Sequence, residues 1–445
     1  MRYGAPLRLA VFCVLSLVVL IAARSRQYWN EPRSGVLALR VNAHSAADAT
    51  AQSREMIDFL ERRRLTDPGD ADVDAKLAGL YLQRLRETGA LTDFGLAQHA
   101  AEASLAIVPA VRNTEALTAL ELSEFAGHQF ARARNHALEL TRLDYTGTPY
   151  AMLGDDYAEL GDYDRAGRAY AEMRRRNGNE DENVPTRMAR FAQLHGDNAG
   201  AANDFTRALQ LELSRNQPSP ERIAWFSWQL GDTAFFSGDV GTAESRYRDA
   251  LTADPHYFRA MASLGRVEAA RGDYSAAIAS YEEAIKLLPD PTFVGELGDV
   301  YLLAGRSDEA RREYDLVDFI GHLSKLNGIM YNRQIAMFYA DHDLKPREAY
   351  LAAKREYAVR QDILGADALA WTALKAGKIA EAERAIHATL RLGTQDPRLW
   401  YHAGMIARAA HHGDAARTYL TRALALNPEF DPFQAPRARA GLDQP

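Results

Sequence analysis

Along most of the chain, apolar residues recur at helical spacing in paired runs, and the middle of each pair is broken by glycine and a polar residue. The pattern is plainest from about Gly147 onward. Between Ser227 and Pro255 the landmarks are Leu230-Gly231, Gly238-Asp239, Ala243, Tyr247, Ala250 and Pro255. The next stretch repeats them as Leu264-Gly265, Gly272-Asp273-Tyr274, Ala277, Tyr281, Ala284 and Pro289, so that Gly231 and Gly265 stand 34 residues apart. A third copy carries Leu297-Gly298, Tyr301, Gly305, Ala310 and Tyr314, and an earlier one carries Leu153-Gly154, Tyr157, Gly161-Asp162-Tyr163, Ala166 and Tyr170. Each copy predicts two helices joined by a tight turn. Glycine supplies the left-handed residue that ends the first helix, aspartate caps the second, and Pro255 or Pro289 stops it. Small residues such as Gly231, Gly265 and Gly298 predict close approach of the first helix to a neighbour.

These recurring landmarks resemble the tetratricopeptide repeat family. The resemblance implies an all-α fold, a right-handed superhelical solenoid of about ten helical hairpins, in which stacking neighbours bury what one hairpin cannot. Weaker copies extend the array to Asp72 on one side and to Asn427 on the other, through Pro185–Leu213, Tyr331–Tyr357, Asp367–Thr394 and Trp400–Pro428. The predicted organisation is a targeting segment over 1–25, a linker over 26–47, a capping helix over 48–71, the array over 72–430 and a tail over 431–445. Asn177–Pro185 and Asn216–Pro220 read as connectors between hairpins.

The N-terminal segment changes the setting. Leu9–Ala23 is an apolar run, with Ser16 its one polar residue, preceded by Arg2 and Arg8, the form of a signal sequence or signal anchor. Arg24 and Arg26 favour retention, whereas Ala23-Arg24-Ser25 would serve as a cleavage site. The expected location is therefore a bacterial-type cell inner membrane, single-pass with the array periplasmic, or the periplasm itself if the segment is removed. The one cysteine, Cys13, falls inside this run, so the folded body has no thiol for a disulfide, metal or nucleophile. Hydrophobic residues make up 47% of the 445 and charged ones 25%, in keeping with a helix-rich chain. The formal net charge of -7, with scattered basic residues, excludes the footprint of a nucleic-acid binder.

The chain carries no His-Glu-x-x-His, no phosphate-binding glycine loop and no Gly-x-Ser-x-Gly. No cofactor and no metal are expected. His402, His411 and His412 form the nearest approach to a histidine cluster, but the last two, like Asp341-His342-Asp343, read as turn residues. The expected partners are other proteins, bound in the groove that the resemblance places along the first helices. Trp225, Trp228, Asp232, Phe235 and Phe236 fall at helical spacing on what the family register makes the groove side, and exposed aromatics of that density serve as binding anchors. The same spacing also fits packing between hairpins, Phe235 above all. At the position after the small residue of each first helix the chain runs Asp155, Arg190, Asp232, Arg266, Asp299, alternating in sign, which predicts a ladder of ion pairs. That row lacks the Lys and Asn set by which some relatives clamp a partner's terminal carboxylate. The function expected is a protein–protein interaction scaffold, with a structural accessory subunit of an envelope-assembly, polysaccharide or secretion machine as the alternative.

Overall fold

Alanine- and leucine-rich runs with glycine or aspartate at their ends form helices wherever the sequence predicts them. The computed structural model describes residues 43–88, 92–326 and 332–443. The apolar run Leu9–Ala23, Cys13 and most of the predicted linker lie outside the described residues. No helix among the described residues is long and apolar enough to cross a membrane.

Every regular element among the described residues is helical, with 22 α-helices and a 3₁₀ turn at Ala110–Arg112. Helix α1 (Ala43–Thr66) stands alone at the start, and α22 (Gln434–Asp443) at the end. Between them lie ten hairpins. The first five are α2 (Ala71–Thr88) with α3 (Thr92–Ile107), α4 (Thr114–Ala126) with α5 (Phe130–Leu143), α6 (Thr148–Glu159) with α7 (Tyr163–Asn177), α8 (Asn183–Leu194) with α9 (Asn198–Leu213), and α10 (Pro220–Phe236) with α11 (Val240–Ala253). The second five are α12 (Phe258–Ala270) with α13 (Tyr274–Leu287), α14 (Pro291–Leu303) with α15 (Ser307–Leu326), α16 (Asn332–Asp341) with α17 (Pro346–Tyr357), α18 (Ile363–Lys375) with α19 (Ile379–Leu390), and α20 (Pro397–Ala409) with α21 (Gly413–Leu426).

One turn recurs among the hairpins whose turns are described. In the α10–α11 hairpin Gly238 sits at φ +80, its N–H donates to Phe235 O, and the Asp239 N–H reaches back to Ala234 O. Both bonds satisfy carbonyls that the helix end would otherwise leave open. Asp239 then caps α11 by accepting from Thr242 N at 3.0 Å, as Asp162, Asp197 and Asp273 cap α7, α9 and α13. Where glycine is missing, His128, Asp343 and His411 take the left-handed conformation at φ 56, 55 and 61, a geometry that costs a non-glycine residue roughly 1 kcal/mol.

The small residues of the first helices have a specific use. A Cβ on Gly154, Gly231, Gly265 or Gly298 would overlap the ring of Tyr170, Tyr247, Tyr281 or Tyr314. The close approach is thus inside the hairpin: the tyrosine of the second helix lies flat against the glycine of the first. The hydrophobic core is distributed along the array to match. One cluster joins Phe258, Tyr281, Leu297 and Tyr301, another joins Val294, Val317, Phe338 and Ala368, and a third seals the end with Trp371, Tyr401, Leu420, Phe430 and the α22 alanines Ala435 and Ala438.

The array also meets itself. The turns at Gly161, Gly196 and Gly238, in three successive hairpins, face the connectors at Gln361, Gly393 and Leu426–Asn427, which follow three later hairpins in the same order. Such regular offsets mean that the solenoid has completed a superhelical turn and laid its later part against its earlier part.

Candidate functional site in the concave interior

Closure of the turn leaves a cavity of about 430 Å³ inside the curve. Its walls come from two sources. Asp155, Arg187, Arg190, Trp225, Gln229, Asp232 and Phe236 project from the first helices α6, α8 and α10, and Arg360, Asp362, Thr394, Asp396 and Arg398 come from the later connectors and helix starts. Several of the predicted groove residues are therefore brought together, although the later turn that faces them was not foreseen.

The predicted aromatic set divides. Trp225 is half-buried, stands edge-on to Phe205 and Phe226 with ring centroids 5.9 and 5.2 Å apart, and keeps a face on the cavity. Phe236 also lines the cavity and lies under the guanidinium of Arg398 at 5.1 Å. Phe235 is a correction: it is fully buried, with the Arg266 guanidinium 4.4 Å from its ring centroid, and is unavailable to a partner. Trp228 lies between hairpins, its indole N–H donating to Ser263 Oγ at 3.0 Å and its ring edge-on to Tyr257. A residue three positions along a helix from Trp225 points about 60° away, enough to leave the cavity and enter the seam between neighbours.

The predicted charge ladder is also corrected. Its one direct rung is Arg266 to Asp232, 2.7 Å apart with both side chains largely buried. Asp155 pairs with Arg187 at 2.9 Å, one helical turn before Arg190, and Asp299 accepts from His342 Nε2 at 2.7 Å rather than from Arg266. Each aspartate is also engaged within its own hairpin. The tyrosine fifteen residues later donates its hydroxyl: Tyr170 to Asp155 at 2.8 Å, Tyr247 to Asp232 at 2.7 Å and Tyr314 to Asp299 at 2.7 Å. Where Arg266 stands in the aspartate's place, Tyr281 turns to Glu296 on the next first helix instead. Burial, together with these carboxylates, pushes the Tyr170 and Tyr247 hydroxyls far above their ordinary range, so they donate at any physiological pH. The repeated Gly-Asp with a tyrosine fifteen residues on was readable in the sequence as a spacing, and it marks a glycine–tyrosine–aspartate lock.

A second, smaller space lies further along the interior, between Arg266, Glu296, Asp299, Arg398 and Asp431. Burial raises Glu296 to about 7, with Arg266 and the Tyr281 hydroxyl pulling it down, and burial raises Asp431 to about 6. His342 is held above its usual value because the Asp299 carboxylate outweighs the effect of burial. His342 is therefore an inward-facing link between hairpins as well as a turn residue, and Asp341 beside it accepts from Trp371 Nε1 and Gln434 Nε2. His402 is buried against Trp371 and bonded to Asp367, away from the turn that holds His411 and His412. Among the described residues no three His, Cys, Asp or Glu side chains are grouped to hold a metal ion.

Comparison with known proteins agrees with the repeat. The tetratricopeptide repeat profile matches residues 229–290, 270–318 and 368–435. Superkiller complex protein 3 of Mus musculus is 27% identical over 190 residues, which are 42% of this chain and 12% of that protein. The human protein of the same name is 26% identical over an equal stretch, so the chain spans about an eighth of the length of these curated relatives, 12% in each case. Among solved structures, MamA is 21% identical with a TM-score of 0.32, over 39% of this chain and 96% of that one. A chain of the APC/C hetero-tetramer Cut9-Hcn1 gives 14% identity and a TM-score of 0.33, over 94% of this chain and 98% of that one. With the helical hairpins and the recurring glycine turn beside it, the profile match in two separate stretches shows that residues 229–318 and 368–435 of this chain carry tetratricopeptide repeats.

Proposed function

We propose that the protein is an interaction scaffold which holds a short partner segment in its concave interior. One observation carries this reading: among the described residues the cavity presents a single unpaired cation, Arg190, beside the aromatic rings of Trp225 and Phe236. Of the other arginines that line the cavity, Arg187 is matched by Asp155, Arg360 by Glu159 and Arg398 by Asp396. Arg190 is exposed into the same space and makes no hydrogen bond or ion pair with any described residue. An acidic side chain next to a bulky apolar one would satisfy Arg190 while its neighbour packs on Trp225 or Phe236, with the guanidinium offering a bidentate fit to carboxylate. The name of the curated relative makes that protein a component of a complex, in keeping with such a role. Repeats fill the described residues nearly from end to end, which leaves a scaffold as the simplest reading of the whole.

The test is affinity capture from the native host with the full chain, its Trp225→Ala variant and its Arg190→Glu variant. The proposal expects a discrete set of proteins that both substitutions deplete while helicity is retained. Equal recovery by all three chains would refute it. Placement at the inner membrane, with the array in the periplasm, rests on the Leu9–Ala23 run and its flanking arginines. Fractionation, with protease access to the array in intact spheroplasts, tests that part. Recovery in the cytosolic fraction would overturn it.

A further inference from the structure

We propose that the seam where the later turn of the solenoid meets the earlier one is a releasable clasp that controls entry to the concave cavity. This inference rests on the scaffold reading for its purpose but not for its test. Contacts across the seam join segments about two hundred residues apart. Arg360 Nε donates to Glu159 Oε2 at 2.5 Å, and Ile363 N–H donates to the Tyr163 hydroxyl at 2.9 Å. Arg391 donates to Gly161 O at 2.9 Å, and Asn427 Nδ2 donates to Phe235 O at 2.7 Å. Guanidinium groups of Arg391 and Arg398 also lie over Tyr163 and Phe236. These named contacts are polar or cation–aromatic, and several depend on charge.

Three features make this seam a clasp rather than ordinary packing. First, it is built for close fit: a Cβ at Gly161, Gly196 or Gly238 would collide with the carbonyl oxygens of Gln361, Gly393 or Leu426. Second, a hairpin stack holds together through its nearest neighbours, so parting the seam leaves each hairpin's own packing intact. Small rotations at successive hairpins add up to the opening. Third, Glu159, Tyr163, Arg360 and Ile363 belong at once to the seam and to the cavity wall. Opening the one therefore opens the other. A partner segment longer than the closed cavity then enters sideways and is held when the seam re-forms.

The experiment uses the full chain with Cys13→Ser and needs no partner. Spin labels on cysteines at Arg168 and His387, both exposed on second helices of hairpins from opposite sides of the seam, report its width by electron-electron double resonance. In a separate chain, Gln229→Cys inside the cavity reports access through its rate of reaction with a bulky polyethylene-glycol maleimide. High salt screens the Arg360–Glu159 pair, and Glu159→Arg reverses it. Both should add a longer-distance population and raise the modification rate several-fold. Glu159→Arg with Arg360→Glu should return both readouts toward the parent. If Glu159→Arg loses helicity, Asn427→Ala carries the same comparison at the other end of the seam. A distance and a rate that ignore both salt and substitution in folded protein would overturn the clasp. A seam that opens in a chain which captures no partner would overturn the scaffold reading alone.

Discussion

Replacing Gly231 by alanine tests the packing rule on which the repeat rests. In an exposed helix interior the change would be favourable by up to about 1 kcal/mol, since glycine is the poorer helix former. Here the new methyl would overlap the Tyr247 ring. That ring is fully buried, and its hydroxyl is fixed to Asp232 at 2.7 Å, so it cannot swing outward. Forcing a methyl into such a site costs about 1–3 kcal/mol, and displacing the ring from its charged acceptor costs roughly a further 1.5–3 kcal/mol. After the propensity gain, the expected net loss is about 1.5–5 kcal/mol. Because hairpins in a stack open partly independently, native-state hydrogen exchange read separately over α10–α11 and over distant hairpins is the suitable assay. Gly79 provides the control: it is exposed on α2, a Cβ there would meet nothing within 4 Å, and Gly79→Ala should stabilise slightly. Adding Tyr247→Ala should remove most of the Gly231→Ala penalty. Exchange protection in α10–α11 equal to or above the parent's would refute the glycine–tyrosine lock.

Other outcomes follow from single sites. Phe235→Ala should cost about 3–5 kcal/mol as a fully buried ring is lost, whereas Phe236→Ala should cost far less, and comparable melting curves would return Phe235 to the groove. Asp232→Ala removes the carboxylate that Tyr247 and Arg266 both donate to and should cost about 3 kcal/mol, while an unchanged denaturation midpoint would show the pair to be ornamental. Glu121 and Asp156 are buried within hydrogen-bonding reach of each other, and no other N–H or O–H group reaches Asp156, so the pair retains a shared proton. Burial, followed by the Asp156 charge, raises Glu121 from 4.5 to about 10. A raised folded-state value means that the stability this group contributes is complete below pH 4.5 and is lost as pH climbs toward 10. Glu121→Gln should therefore be the more stable chain at pH 9 by about 1–3 kcal/mol and lose that advantage at pH 5; a variant less stable at pH 9 would contradict the shared proton.

Much of this was legible in the residues because the repeat imposes it locally. The left-handed turn at Gly238 and the cap at Asp239 depend only on a few neighbours, and the structure has them where the spacing puts them. The Asp232–Arg266 rung was legible for the same reason, since adjacent first helices lie side by side. Failures began where the register had to be known to within one helical step. Trp225 faces the cavity and Trp228 does not, although both fit an amphipathic face. Asp155 found Arg187 in place of Arg190 for the same reason. The seam was beyond reach of pattern altogether: that Asn427 should bond to Phe235 O follows from the accumulated rotation of the hairpins between them, which no single spacing encodes.

Whether the concave interior is the binding surface can be asked most directly by site-specific photocrosslinking in the native host. A benzoylphenylalanine placed at Gln229, inside the cavity, is compared with one at Arg248, exposed on the second helix α11. The scaffold account predicts a discrete adduct from Gln229, absent from Arg248 and lost when Arg190→Glu is added. Adducts of equal yield from both positions, or a Gln229 adduct indifferent to Arg190, would contradict it.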